Sequence, residues 1–556
     1  MADDRRKGSE VLIEVLRSEG VTHIFGNPGT TELPMIDALA AVSDIYYVLG
    51  LQESTVVGMA DGYAQATGRP AFLNLHTSAG LGNAIGNLTN AKSANTPLVV
   101  TAGQQDYRHI ITDPLLAGDL TGIAAAVSKW THEVRTLGEL GTVLRRAFHD
   151  AASAPAGPVF VSLPMNVMDE IGPAAIPPPS RIERRAVGGR LAELAELLAT
   201  TPSDRLALVV GDEVTASGGT EALVAVAEML GAPVFGSPLI GSFAFPPLHP
   251  LWAGALPPHA AALRKALADF DRVFLIGGRA FMTYPYVPGS ALPETVELLH
   301  LAPDVHDLGR TYPVRLGIVG DPRATLEALL PLLQGKATAN SVAETIAKRR
   351  AVQEKSRQAY ETAALGRYDK TPMPPIVAAH ALLRALPPES IVVDEGPATN
   401  THVRAFHQVT RPDRYFFVRG GGLGWGMPAA LGVSLGFDRE PVLCIVGDGA
   451  AMYSPQALWT AAHEQLPVVF AVVNNREYNI LKNYMRGMEG YNATMGTFIG
   501  MDITDPPVDF CALARSMGVS ATLVERAGDV GDAVRAAWQS GKPHLLELPM
   551  AATERG

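Results

Sequence analysis

Short, unbroken apolar runs recur along this chain, and most of them stop at a glycine or an asparagine. Leu206-Ala207-Leu208-Val209-Val210, Val273-Phe274-Leu275-Ile276 and Val442-Leu443-Cys444-Ile445-Val446 are of this kind, as is Pro467 to Val473. A half-buried strand alternates apolar and polar positions, whereas a strand covered on both faces is apolar throughout. Between the runs lie stretches of helical periodicity, such as Ser54 to Thr67 and Pro455 to Glu464. Strand and helix in alternation predict an α/β fold of doubly wound parallel sheets, covered by helices on both faces.

Two proline-rich stretches divide the chain. Ile176-Pro177-Pro178-Pro179-Ser180 through Gly188-Gly189 cannot continue a helix or a central strand, and Thr371-Pro372-Met373-Pro374-Pro375 follows a charged helical segment. They set off an N-terminal domain over 1–180, a central domain over 190–335 and a C-terminal domain over 372–556. A length of 556 residues also suits roughly three domains of about 100–200 residues each. A weak echo links the outer two: Asn95 to Ala102 and Gln465 to Val472 each leave a helix and enter a buried strand through a proline.

Composition narrows the function. A net charge of -11 with no basic block argues against nucleic acid and anionic membrane surfaces as partners. The two cysteines, Cys444 in a core strand and Cys511 in a predicted helix, exclude a disulfide framework. The first residues are charged and lead into an amphipathic helix, and no run of about 18 apolar residues occurs, so a cytoplasmic location is expected.

The chemistry concentrates where two predicted strands end. Gly447-Asp448-Gly449 follows the first and, after 24 intervening residues, Asn474-Asn475 follows the second. In a β-α-β unit both carboxyl ends open on one edge of the sheet, where open α/β sheets bind ligands. GDG and NN alone are ordinary turn dipeptides. Together they put one carboxylate and one amide oxygen within reach of a single Mg²⁺, a cation that takes hard oxygens and shares substrate phosphates. A backbone carbonyl near Glu477 offers a third protein ligand.

This spacing resembles the fingerprint of thiamine-diphosphate enzymes. Phe25 to Pro34, Leu51-Gln52-Glu53, Ala60 to Ala66, Asn74-Leu75-His76 and Gly420 to Gly424 extend the resemblance along the chain, most closely to the benzoylformate decarboxylases. The resemblance implies thiamine diphosphate and Mg²⁺ as cofactors, with Asp448, Asn475 and Glu477 at the metal. It implies that Gly447, Gly449, Ala450, Tyr478, Asn479 and Pro397 line the cofactor site. Glu53 would hydrogen-bond the aminopyrimidine ring, Gly421 would offer it a carbonyl, and Leu423 would wedge the cofactor into a bent shape. His76, Thr30 and Asn27 would meet a 2-oxo acid substrate, with Ile480, Tyr484, Leu115 and Leu116 around its side chain. A homotetramer, a dimer of dimers with active sites between subunits, is implied as well, with the outer domains as related folds.

The implied reaction is non-oxidative decarboxylation of a 2-oxo acid to an aldehyde and CO₂. Departures keep a second reaction open. Tyr284 stands where the decarboxylases carry a second catalytic histidine, and a phenol with an ordinary pKa near 10 is a poor proton shuttle at neutral pH. Carboligation or lysis, as in acetolactate synthase-like or 2-hydroxyacyl-CoA lyase-like relatives, is the alternative. A degenerate structural protein on the same fold is the third reading, opposed by intact Glu53, Asp448 and Asn475. Ile480 is larger than the expected alanine and narrows the pocket. The central domain lacks G-x-G-x-x-G at both of its strand-glycine turns, so it is expected to be structural. Arg419 and Glu395 are expected to be structural too, as are Arg108 and His109 in the loop before Leu115.

Overall fold

The computed structural model describes residues 5–336, 339–488 and 490–552. Eighteen strands form three six-stranded parallel sheets. The first holds β1 (His23–Gly26), β2 (Tyr46–Leu49), β3 (Ala71–Leu75), β4 (Leu98–Gln104), β5 (Thr131–Glu133) and β6 (Val159–Pro164) in the order β2-β1-β3-β4-β6-β5. The second holds β7 (Leu206–Val210), β8 (Val234–Gly236), β9 (Trp252–Ala255), β10 (Arg272–Ile276), β11 (Glu297–Ala302) and β12 (Leu316–Val319), ordered β9-β8-β7-β10-β11-β12. The third holds β13 (Ile391–Glu395), β14 (Tyr415–Phe417), β15 (Val442–Gly447), β16 (Val468–Asn474), β17 (Ser520–Leu523) and β18 (His544–Pro549), ordered β14-β13-β15-β16-β18-β17.

The first and third sheets therefore share one winding order, and the middle sheet has another. A short antiparallel pair, Arg5–Lys7 with Ile171–Pro173, closes the first domain. The apolar runs read from the sequence are the buried central strands: β7, β15 and β16 are apolar and buried almost throughout. β16 starts at Val468 rather than Pro467, because proline has no N–H to give to a central ladder.

Six helices position the functional residues: α1 (Glu53–Thr67), α2 (Thr77–Ser93), α3 (Ala339–Leu365), α4 (Gly426–Gly436), α5 (Asp448–Ala451) and α6 (Asn479–Gly487). α1 begins one residue earlier than the periodicity suggests, because the Gln52 side chain accepts from Thr55 N and caps it. α1 and α4 join the outer domains at backbone distance. A Cβ on Gly432 would lie 1.9 Å from the Met59 carbonyl oxygen, and one on Gly62 would lie 2.2 Å from that of Ala429. The apolar core is accordingly continuous between the two domains, running from Val56 and Leu73 to Met427 and Val446. Among the described residues, no helix is long and apolar enough to cross a membrane.

Candidate active site

β15 and β16 pair in parallel with Gly447 opposite Val473, so Asp448 and the Asn474-Asn475 turn emerge side by side. Asp448 is buried, and its Oδ2 has no hydrogen-bond partner. Burial pushes its carboxyl up to about 6, against the pull of N–H donors from Gly449 and Arg476. A divalent cation at this oxygen would supply the missing charge, so the donor set fits a metal. A Cβ on Gly447 would approach nothing closer than Pro397 Cδ at 3.8 Å, which leaves room for a diphosphate.

The turn is held from two sides. Asn474 Nδ2 donates to Glu547 Oε1 on β18 at 2.9 Å, and Asn474 Oδ1 accepts from Arg476 N at 3.1 Å. Arg476 has φ +58, and Asn475 Oδ1 accepts from Glu477 N at 3.2 Å. The Glu477 carboxylate is engaged by Lys482 and by Asn479 Nδ2. Any contribution of Glu477 to a metal therefore falls to its backbone, as the sequence suggested. The Tyr478 ring packs against Gly449, where a Cβ would meet Tyr478 Cε1 at 2.6 Å, and Ala450 is buried in α5.

Glu53 is buried at the start of α1, not exposed like an ordinary helix-start acid. Asn27 Nδ2 donates to its Oε1 at 3.3 Å and Asn83 Nδ2 to its Oε2 at 3.1 Å. His76 caps the end of β3 and places Nδ1 2.8 Å from Glu32 Oε2. With Nδ1 tied to a carboxylate, Nε2 is the nitrogen left for a ligand. Thr30 is exposed, whereas its neighbour Thr31 donates to Glu32 Oε1 at 2.7 Å.

The glycine run before α4 is gripped by the first domain. Asn90 Nδ2 donates to Gly422 O at 2.9 Å and Asn90 Oδ1 accepts from Gly422 N at 2.9 Å. Asn87 Nδ2 bridges Ser54 O and Gly424 O. From below, Glu395 accepts from the N–H groups of Gly424, Trp425 and Gly426. Gly421 has φ +73 with open space where a Cβ would stand, which suits a backbone group offered to a ligand. Leu423 is half-buried against the shared core.

On the substrate side, Tyr284 and Tyr484 meet edge-on with ring centroids 5.5 Å apart. Ile480 is exposed beside them, Leu115 is exposed and Leu116 is half-buried with φ +66. Arg108 pairs with Asp106 at the surface. Arg419 has its side chain almost fully buried, 3.0 Å from Asp212 of the central domain, so it ties domains together and is not open to a ligand. Glu32, Asn83, Asn87, Asn90 and Glu547 escape sequence reading, because each acts on groups far away along the chain. For Glu32, a carboxylate one turn past Pro28-Gly29 was the available signal.

A doubly wound α/β protein with a carboxylate and an amide side by side at a switch edge is a phosphate-and-metal binder in outline. Three family profiles match in order: the thiamine pyrophosphate enzyme N-terminal TPP binding domain over residues 6–118, the central domain over 191–329 and the C-terminal TPP binding domain over 398–548. Benzoylformate decarboxylase of Pseudomonas aeruginosa is 34% identical over 549 residues, covering 97% of this chain and 98% of that protein. The acetolactate synthase isozyme 3 large subunit of Escherichia coli is 29% identical over 492 residues, 86% of this chain and 83% of that protein. Among solved structures, the thiamine diphosphate-dependent 4-hydroxybenzoylformate decarboxylase of Rhodococcus jostii RHA1 superposes with a TM-score of 0.86 at 31% identity, covering 99% of this chain and 100% of that one. Benzoylformate decarboxylase of Polynucleobacter necessarius gives 0.87 at 28%, covering 99% of each chain. The chain belongs to the thiamine-diphosphate-dependent enzymes, in the part of that family that holds benzoylformate decarboxylases and acetolactate synthases.

Proposed function

We propose that this enzyme uses Mg²⁺ with thiamine diphosphate to decarboxylate a 2-oxo acid, releasing CO₂ and an aldehyde. The buried, unpartnered Oδ2 of Asp448 beside Asn475 carries the metal part of this reading. The relatives' names, two of them benzoylformate decarboxylases, support the reaction class. When bound, thiamine diphosphate supplies a nucleophilic carbon for the ketone and an electron-accepting ring for the pair that CO₂ leaves behind.

The chain's residues bind, orient and move protons. Asp448, Asn475 and the Glu477 backbone hold the metal and, through it, the diphosphate; Gly447, Gly449, Ala450, Tyr478, Asn479 and Pro397 line the groove. Glu53 holds a proton against the aminopyrimidine ring, Gly421 offers it a carbonyl, and Leu423 fixes the bend. His76, oriented by Glu32, presents Nε2 for proton transfer, and Thr30 and Asn27 offer hydrogen bonds to the substrate carboxylate. Tyr284, Tyr484, Ile480, Leu115 and Leu116 bound the space for the side chain. We propose a cytoplasmic homotetramer in which Glu53 of one chain faces Asp448 of its neighbour. The exposed apolar side chains of Ile480, Leu481, Met488 and Tyr491 on and after α6 support burial against another copy.

One observation favours a second reading. Tyr284 is 60% exposed and lies edge-on against Tyr484, so the pocket offers a phenol where the decarboxylases protonate with histidine. Carbon–carbon bond formation with a second carbonyl would then compete with aldehyde release. The test is CO₂ release with Mg²⁺ and thiamine diphosphate across pyruvate, branched and aryl 2-oxo acids, with products identified with and without an added aldehyde. Free aldehyde from one acid is the expected result, a joined product alone establishes the second reading, and no CO₂ from any acid overturns decarboxylation and points to a lyase or ligase with a different donor. Glu53→Gln should lower turnover by at least about 100-fold while thiamine diphosphate still raises the thermal midpoint.

A further inference from the structure

Tyr284, Ile480 and Tyr484 do not close a small pocket. They stand at one end of a cavity of about 1480 Å³, whereas pockets for drug-sized ligands occupy about 300–1,000 Å³. From Pro397 the cavity runs between the central and C-terminal domains and reaches Ser203 and Asp204. Its outer wall is α3, where a stripe of Thr345, Arg349, Val352, Ser356 and Tyr360 lines it at steps of three and four residues, with Val352 and Ser356 open to solvent at its rim. At 1.5 Å per residue, the stripe is about 22 Å long. The cavity is therefore a groove, far longer than a short 2-oxo acid.

Its chemistry changes along its length. Tyr284 N donates to Pro258 O at 2.9 Å, and Pro257, Leu256, Trp252 and Phe243 of the central domain give the groove apolar wall. Over the whole groove, four cationic side chains, Lys348, Arg349, Arg357 and Arg404, face two acids, Asp204 and Glu344. Lys348 is satisfied by Glu344 at 2.9 Å, and Arg404 donates to Ile240 O at 2.7 Å. Arg349 keeps a buried Nε without a hydrogen-bond partner, with Asp204 as its nearest opposing charge. Arg357 also lines the groove, and no ion pair forms at it among the described residues. A buried guanidinium N–H without a partner in such a wall is suited to a carboxylate or phosphate.

We propose that this groove binds the tail of an elongated acyl substrate, apolar near the reacting carbon and anionic at its far end beside Arg349. The inference rests on the decarboxylase reading, since that reading puts the reacting carbon near Ile480 and Tyr484. The anion is the terminal carboxylate of a free chain or the phosphate of a carrier; both present the same oxygen acceptors.

The test uses the full-length protein with Mg²⁺ and thiamine diphosphate, and three unreactive probes: decanedioate, decyl phosphate and decanol. Binding is read by calorimetry and by tryptophan fluorescence, to which Trp252 contributes. At least one anion should bind tenfold or more tighter than decanol, and the tighter of the two identifies the source of the charge. Arg349→Ala should weaken anion binding at least tenfold and leave decanol unchanged, with Arg349→Lys restoring most of the loss. Ser356→Trp, at the exposed rim of the groove, should block all three probes. Anions that bind no better than decanol, or binding indifferent to both Arg349→Ala and Ser356→Trp, overturn the proposal. Probe binding without CO₂ from any 2-oxo acid overturns the decarboxylase reading; turnover of short acids without probe binding overturns the groove alone.

Discussion

The carboxylate of Glu32 is 2% exposed yet accepts four hydrogen bonds, from Gly29 N, Thr31 Oγ1, Gly103 N and His76 Nδ1. Three hold the carboxylate in place, and the fourth fixes the imidazole. Glu32→Gln should keep the fold and KM while kcat falls roughly 10- to 100-fold, read by steady-state kinetics beside an unchanged circular dichroism spectrum. Glu395 shows the opposite use of a buried acid. Burial pushes its carboxyl up to about 7 although three N–H groups favour its ionised form. The folded chain thus holds a proton that the unfolded chain has released between about pH 4.5 and 7, so this group stabilises most below that window and its contribution is lost as pH rises through 7. Relative to Glu395→Gln, the wild type should lose on the order of 3 kcal/mol between pH 4.5 and 8, measured by urea unfolding at both ends. The sequence singles out Glu53, Asp448 and Asn475 because their neighbours along the chain carry a recognisable pattern. It does not single out Glu32, whose partners His76 and Gly103 lie 44 and 71 residues away along the chain.

Elements were legible wherever burial is uniform. Val442 to Val446 and Leu206 to Val210 read as strands because both faces are covered. The four-residue α5 was not legible, being too short to show a period. Nor was the support that β18 gives to the Asn474-Asn475 turn, because Glu547 reaches Asn474 across 73 positions of sequence. Glu547→Ala should free that turn and weaken Mg²⁺-dependent cofactor binding about 10- to 100-fold. Calorimetric titration of thiamine diphosphate at fixed Mg²⁺ checks this, and an unchanged affinity would remove Glu547 from the site.

At the scale of the molecule, two acids of the central domain join it to the outer domains. Asp212 and Glu213 stand where β7 and β10 diverge; Asp212 pairs with Arg419, one residue before the glycine run, and Glu213 Oε1 accepts from Asn95 Nδ2 of the first domain at 3.1 Å. Burial raises the Glu213 carboxyl, and Arg419 opposes that rise. Arg419→Met should leave these acids unpaired and cost on the order of 3–5 kcal/mol, seen as a lower thermal midpoint that partly recovers in Arg419→Met with Asp212→Asn. The echo between Asn95 to Ala102 and Gln465 to Val472 was a true trace of two sheets wound alike, but nothing in the sequence announced their joint. Gly58, Gly62 and Gly432 are ordinary helix residues until α1 and α4 are laid together. That joint has a consequence for synthesis. The face of α1 that needs α4 leaves the ribosome roughly 360 residues ahead of it, a wait of about 20–70 s at about 5–20 residues per second. Through that interval the nascent first domain carries a bare glycine-lined stripe, so its yield in a cell should depend on chaperone supply more than that of a protein whose domains close one at a time.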